Sequence, residues 1–156
     1  MVIIIIKKVK KPFKIFLAGI MSTPYHETID GFESQMAVNY IGHFLLTHRL
    51  LPQLIAGSES NEGKNTRIVN VSSCIHRVAE IDYDDFHCKW VVSISTNACK
   101  FLNKLKFLRK FYYPADAYGK SKLAQVYFTK YLETILKERG LKVQAHAPHP
   151  GIVIKN

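Results

Sequence analysis

The stretch Arg67-Ile-Val-Asn-Val-Ser-Ser73 lies near the middle of the chain and decides its fold. It is short, apolar and rich in β-branched side chains, which is typical of a buried strand. On either side of it, apolar residues recur at helical intervals over roughly 31–56 and over Ala115–Glu138. A strand placed between two long helices predicts parallel βαβ units, so we expect an α/β fold.

Two further strands extend this pattern at its ends. Phe13–Leu17 is apolar and stops at Ala18-Gly19, and Lys142–Ala147 follows a predicted helix stop at Gly140. A polar loop separates the first helix from the central strand. The predicted order is therefore strand–helix–strand–helix–strand, which gives a partial parallel sheet flanked by helices.

We expect each long helix to bury one apolar face. Asp30 and Glu33 have the spacing of a capping box and place the start of the first helix beside them. In the second helix, the predicted apolar side is formed by Leu123, Val126, Tyr131, Leu132 and Ile135.

The formal net charge of +10 comes from two segments and not from the fold as a whole. Residues 1–24 hold five lysines, residues 89–112 hold six basic residues, and neither segment contains an acid. The remainder is nearly neutral, so we expect no nucleic-acid partner.

The three cysteines lack zinc-ligand spacing, which predicts no metal site and a reduced, intracellular protein. The apolar run at Ile3–Ile6 is too short for a secretory signal or a membrane span.

Four polar residues form a candidate reaction centre. Tyr118 and Lys122 share one face at the start of a helix, where the lysine charge would favour the phenolate of the tyrosine. Ser73 ends the central strand, where open α/β sheets bind ligands, and its hydroxyl could polarise a carbonyl. The Asn39 amide could hold a water in a proton relay. Each residue alone has a plainer explanation, namely a surface pair, a capping serine or a packed amide.

Their order along the chain resembles the signatures of the short-chain dehydrogenase/reductases. The stretch TPYHETIDGFESQMAVNYIGHFLLT, residues 23–47, is similar to the retinol-dehydrogenase-like branch of that family. The residues that carry the resemblance are Ala18-Gly19, Asn39 in VNYIGHF, Ser73 in RIVNVSS, Tyr118 and Lys122 in YGKSK, and Pro150-Gly151.

The resemblance implies a Rossmann-type sheet, NAD or NADP as cofactor, and a small apolar alcohol or carbonyl substrate such as a retinoid, steroid or polyprenoid. It makes Tyr118 the acid/base, and Lys122 the residue that lowers its pKa and holds the nicotinamide ribose. Ser73 would orient the carbonyl and Asn39 would serve the relay. Cofactor contacts are implied for Ala18, Gly19, Tyr118, Lys122, Pro150 and Gly151. The location would be the cytoplasm or the endoplasmic reticulum.

The sequence departs from the family pattern in three places. No G-x-x-x-G-x-G precedes Ala18, so we interpret 1–17 as a non-family segment and 18–153 as a partial domain whose first βαβ units are missing. Phe16 and Leu17 stand where the family has two asparagines. The spacing between Ser73 and Tyr118 indicates an insertion at about 88–111.

Two interpretations of the insertion are open. It is either translated non-coding sequence or a genuine element, in which case Lys100–Tyr112 forms a basic amphipathic helix able to contact a membrane surface. Two functions are open as well. The chain is an NAD(P)-dependent oxidoreductase whose activity is impaired in this form, or a non-enzymatic remnant that pairs as a homodimer through its long helices or binds a membrane surface.

Overall fold

A computed structural model describes residues 13–16, 18–59, 66–86 and 112–151. Three strands form one parallel sheet: β1 (Phe13–Phe16), β2 (Thr66–Asn70) and β3 (Val143–His146). Their order in the sheet is β1-β2-β3. The predicted α/β class is confirmed. The predicted insertion helix and the Ile3–Ile6 run lie outside the described residues.

The central strand ends earlier than predicted. Strand β2 stops at Asn70, and residues 71–73 form a loop. In this loop the Ser72 amide donates to Pro148 O at 2.9 Å, and Val71 O accepts from the Lys122 ammonium at 2.8 Å. The backbone therefore finds its partners in a loop and a side chain instead of in a neighbouring strand.

The first helical segment is continuous but not uniform. It consists of α1 (Ser34–Met36), a π-turn (Ala37–Ile41) and α2 (Gly42–Glu59). The Gly42 amide donates to Ala37 O, which closes the wider π-type ring. The predicted span of roughly 31–56 is therefore shifted toward the C-terminus by three residues at each end.

The predicted capping box at Asp30 is wrong. Glu33 caps the helix, because its carboxylate accepts from the amides of Gln35 and Met36, each at 2.8 Å. Asp30 lies instead in a turn closed by the Gly31 amide, which donates to Thr28 O at 2.9 Å. Gly31 has a φ of 82°, which a helix cannot include, so the helix starts only after this turn.

The second long helix is α3 (Pro114–Glu138). Pro114 occupies the first turn, where its missing N–H costs nothing. The predicted stop at Gly140 is confirmed. This residue has a φ of 65°, and the next amide, Leu141, donates to Leu136 O at 3.0 Å.

Both long helices pack on the same face of the sheet, as two right-handed crossovers in one direction require. Their shared core is the apolar cluster Leu54, Ile68, Leu132, Leu136, Val143 and Ala145. The prediction that Tyr131 belongs to the apolar side is wrong, because 68% of this residue is exposed. It immediately precedes Leu132 and therefore points about 100° away around the helix axis.

In the part of the chain that the structure describes, no helix combines the length and the apolar character needed to cross a bilayer.

Replacing Leu136 by alanine should lower the free energy of unfolding by about 2–5 kcal/mol, because it opens a cavity in this core. Urea denaturation followed by circular dichroism measures the change. Tyr131→Ala on the same helix is the matched control and should cost less than about 1 kcal/mol, since that side chain is mostly in solvent. Equal decreases in the free energy of unfolding for the two variants would contradict the described core.

Candidate active site

The loops that follow the three strands meet at one edge of the sheet. Residues 18–20 follow β1, residues 71–73 follow β2 and residues 147–151 follow β3. Because the strands are parallel, their carboxyl ends share this edge, which is where open α/β sheets bind ligands. All the predicted site residues lie in these loops or on the helices that pack beside them.

Asn39 lies inside the π-turn and is fully buried. Its Oδ1 accepts from the Ile20 amide at 2.9 Å, and its Nδ2 donates to Ile20 O and to Ser121 Oγ, both at 2.9 Å. The side chain thus joins the loop after β1 to α3. Both amide hydrogens are used, so within this side chain only Oδ1 remains able to accept from a relay water.

Gly19 brings the backbone of the same loop close to the candidate centre. A Cβ atom at Gly19 would lie 3.2 Å from Asn39 Oδ1 and 3.8 Å from Lys122 Nζ. A side chain there would crowd the asparagine and occupy the space beside the ammonium. The predicted cofactor residue Gly19 and Lys122 are therefore brought together, and the neighbouring Ala18 is buried.

Lys122 is buried, with 5% of its surface exposed. Its ammonium donates to Val71 O at 2.8 Å and to Gln125 Oε1 at 3.3 Å, and it lies 5.8 Å from the centroid of the Tyr118 ring. Burial lowers the pKa of Lys122 to about 8. The plainer explanation of a surface Tyr–Lys pair fails, because a surface lysine would keep its ammonium in water.

Ser73 precedes a 3₁₀ turn (Cys74–Arg77), and its side chain makes no capping bond to that turn. Its carbonyl accepts from the His76 amide at 3.2 Å, so the plainer explanation of a turn residue holds for its backbone, while its hydroxyl has no capping role. Helix α3 packs on this turn at Gly119, where a Cβ atom would lie 3.0 Å from Ala79 Cβ and 3.4 Å from Ile75 Cγ1. The missing side chain lets the residue next to Tyr118 approach the segment that follows Ser73.

Pro150 and Gly151 lie in the exposed loop after β3, and Gly151 has a φ of 86°. They share the edge of the sheet with the other predicted site residues. Among the described residues no hydrogen bond joins them to Tyr118 or Lys122. The departures at Phe16 and Leu17 concern side chains outside the described part of the structure.

Sequence reasoning missed a buried polar seam between the two long helices. The first helical segment and α3 each contribute polar residues spaced four apart: Asn39, His43 and Thr47 from one, and Ser121, Gln125 and Thr129 from the other. Two cross-helix hydrogen bonds, Asn39 to Ser121 and Gln125 to His43, join its sides. The sequence signal for this seam is the four-residue spacing of its polar side chains, which puts each set on one face of its helix.

A second missed cluster anchors the start of α3. Gln35 is fully buried, and its Nε2 donates to Tyr112 OH at 2.6 Å and to Pro114 O at 2.9 Å. Its Oε1 accepts from the Ser22 amide at 2.8 Å, and the Tyr112 hydroxyl donates to Glu33 Oε1 at 3.0 Å. This cluster fixes the first turn of the helix that carries Tyr118.

Within residues 18–59, 66–86 and 112–151, no group of three or more histidine, cysteine, aspartate or glutamate side chains could hold a metal ion. Cys74 is exposed and carries a free thiol.

No protein-family model matches the chain. It is 38% identical over 147 residues to polyprenol dehydrogenase of Homo sapiens, an alignment that covers 94% of this chain and 38% of that protein. It is 40% identical over 136 residues to retinol dehydrogenase 12 of Bos taurus, covering 87% and 34%.

The chain belongs to the short-chain dehydrogenase/reductase family. Within this family its curated relatives are retinol and polyprenol dehydrogenases, so the predicted retinol-dehydrogenase-like branch is confirmed. The chain spans little more than a third of the length of these relatives.

Two solved structures share the fold of this chain. An uncharacterized protein from Mycobacterium paratuberculosis superposes with a TM-score of 0.68 and is 35% identical, over 96% of this chain and 45% of that one. A 4-hydroxyisoleucine dehydrogenase complexed with NADH and succinate superposes with a TM-score of 0.55 at 19% identity, over 94% and 47%. The second likeness shows the fold alone, which confirms the predicted Rossmann-type sheet.

Asn39→Ala should lower the free energy of unfolding by about 2–4 kcal/mol, because it leaves the buried partners at Ile20 and Ser121 without their bonds. It should also remove the protection of the Ile20 amide from hydrogen exchange, measured by NMR. Ser121→Ala breaks only one of the three bonds of Asn39, together with the bond that Ser121 Oγ donates to Tyr118 O. This control should lower the free energy of unfolding by about 1 kcal/mol and leave the Ile20 amide protected from hydrogen exchange. Unchanged protection of Ile20 in Asn39→Ala would show that another group holds the loop.

Proposed function

We propose that this chain carries the reaction centre of an NAD(P)-dependent oxidoreductase, which transfers hydride between a nicotinamide and an apolar alcohol or carbonyl compound. The observation that carries the proposal is the buried ammonium of Lys122, placed between Gly19 and the Tyr118 ring. Relatives named retinol and polyprenol dehydrogenases support an apolar alcohol as substrate class. An intracellular location, cytoplasmic or at the endoplasmic reticulum, stays a prediction.

The residues present fit the nicotinamide end of such a cofactor. Lys122 uses two of its three ammonium protons on Val71 O and Gln125 Oε1, which leaves one for a ribose hydroxyl. Gly19 keeps the space beside that ammonium free of a side chain. Ala18, Pro150 and Gly151 remain proposed contacts. The cofactor, when bound, supplies the hydride chemistry.

The protein's own part is proton transfer and polarisation. Tyr118 would give or take the proton at the substrate oxygen, and the charge of Lys122 would favour its phenolate form. Because the pKa of Lys122 is about 8, the positive charge is fully present well below pH 8. Its effect on Tyr118 is lost as the pH rises past that value. The Ser73 hydroxyl, which does not cap the adjacent turn, would donate to the carbonyl oxygen. Asn39 would hold the relay water through Oδ1.

A non-enzymatic helix-pairing module is the second candidate. It is favoured by large apolar or aromatic side chains that both long helices leave exposed, namely Phe44, Leu45, Tyr127 and Tyr131. Such a surface is typical of an interface between proteins. If this candidate is right, light scattering will show a homodimer that Tyr127→Glu dissociates, and no nicotinamide nucleotide will bind at any concentration. Contact with a membrane surface would rest on the basic segment outside the described residues.

The chain by itself should bind NADH and NADPH with a dissociation constant weaker than about 100 µM, or about −5.5 kcal/mol. The reason is that its residues provide the nicotinamide end, and no glycine-rich turn for the pyrophosphate precedes Ala18 in the sequence. Titration followed by NADH fluorescence measures the constant. Tighter binding would mean that another part of the chain holds the phosphates.

The proposed chemistry is tested in a chimera that joins the N-terminal half of a retinol dehydrogenase to residues from Ala18 onward, without residues 88–111. Tyr118→Phe should abolish turnover and leave NADH binding nearly intact, because only the transferable proton is lost. Ser73→Ala should lower kcat by about 10²-fold. Lys122→Met should weaken binding and move the basic limb of the pH profile upward.

Tyr113→Phe is the matched control, since it removes an exposed hydroxyl at the residue before α3. This variant should keep full activity. A Tyr118→Phe chimera that retains most of its activity would contradict the role proposed for Tyr118.

A further inference from the structure

The side chain of Lys122 is held at its tip by two acceptors of different kinds. One is the backbone carbonyl of Val71, at 2.8 Å, and the other is the side-chain oxygen of Gln125, at 3.3 Å. The Val71 carbonyl belongs to the backbone directly after β2, whereas the side chain of Gln125 can rotate. The position of the ammonium therefore depends on what orients Gln125.

Gln125 is fully buried, and its other end is held by His43. Its Nε2 lies 2.8 Å from His43 Nδ1 across the seam between α2 and α3. An ammonium group can only donate, so the oxygen of the amide must face Lys122 and its nitrogen must face the histidine. The histidine then accepts at Nδ1, and its ring proton is on Nε2.

This arrangement requires a neutral His43. Burial lowers the pKa of His43 to about 4, and the nearby charge of Lys122 acts in the same direction. In the described residues, the titratable groups facing Lys122 are His43 from α2 and Tyr118 from its own helix. The two acceptors that the ammonium contacts, Val71 O and Gln125 Oε1, are both neutral groups.

We propose that Gln125 and His43 are positioning residues for Lys122: His43 orients the Gln125 amide, and its oxygen fixes the ammonium beside Val71 and Gly19. The proposal deepens the oxidoreductase function and rests on it, since a fixed ammonium matters for catalysis only if a cofactor binds there. Without the second acceptor, the ammonium would keep only the Val71 carbonyl. The third N–H of the Lys122 ammonium, which is available to a ligand, would then no longer point in one direction.

The test is the ionisation of Lys122 in the full chain. With lysine labelled with ¹³C at Cε, the Lys122 resonance is assigned by its loss in Lys122→Met, and its midpoint is followed by NMR from pH 6 to 11. Gln125→Met removes the acceptor and should lower the midpoint by about one unit, because a hydrogen bond to the charged form is lost. Gln125→Glu places a carboxylate there and should raise it.

The histidine is tested in the same titration. His43→Phe frees the amide and should shift the midpoint in the direction of Gln125→Met. His43→Asn keeps an acceptor for the Gln125 amide and should restore the wild-type midpoint. Thr134→Val is the control, because Thr134 is exposed further along α3 and its hydroxyl donates only to the Lys130 backbone among the described bonds. This variant should leave the midpoint unchanged.

A purely structural role gives a different result. If Gln125 only fills space, Gln125→Met will leave the midpoint unchanged, or raise it toward the ordinary lysine value by letting water in, and the proposal is overturned. Turnover by the chimera described above separates this from the function. Lysine shifts as expected in a chimera that binds NADH but turns over no alcohol or carbonyl substrate would sink the oxidoreductase proposal and leave the positioning role standing. A chimera that turns over substrate but lacks the lysine shifts would overturn the positioning role and leave the oxidoreductase proposal standing.

Discussion

A buried ammonium group is the constraint on which the rest of this structure depends. Lys122 has almost no exposed surface, and a charge in that position is tolerated only where several acceptors surround it. One acceptor comes from the loop after β2, and the other comes from the same helix one turn along. The loop after β2 and α3 therefore meet at this ammonium, and the Gly19 backbone lies beside it.

Each long helix buries both polar and apolar side chains. Parallel strands with helical crossovers start every helix at the carboxyl edge of the sheet and end it at the opposite edge. The polar seam begins near the start of each helix, at Asn39 and Ser121, and the apolar cluster of the shared core lies toward the C-terminal ends. Met36 and Leu123 are also buried in the N-terminal halves, so apolar packing continues along the helices to the candidate site.

The start of α3 is anchored to the start of the first helix. Gln35 and Glu33 bind Tyr112 and Pro114 through partly buried hydrogen bonds, and the partners are separated by 77 to 79 residues along the chain. The position of Tyr118 is therefore tied to the first helix, which also carries Asn39.

The sequence by itself determined the alternation of strands and helices, the helix stop at Gly140 and the shared face of Tyr118 and Lys122. Each of these follows from the spacing or conformational preference of neighbouring residues. The family signatures also identified the candidate site. Only the tertiary structure decided that Glu33 and not Asp30 caps the first helix, that Tyr131 faces solvent, and that Gln125 meets His43. The last contact joins residues 82 positions apart, and local pattern cannot specify which of several inward-facing polar side chains will become partners when two helices pack.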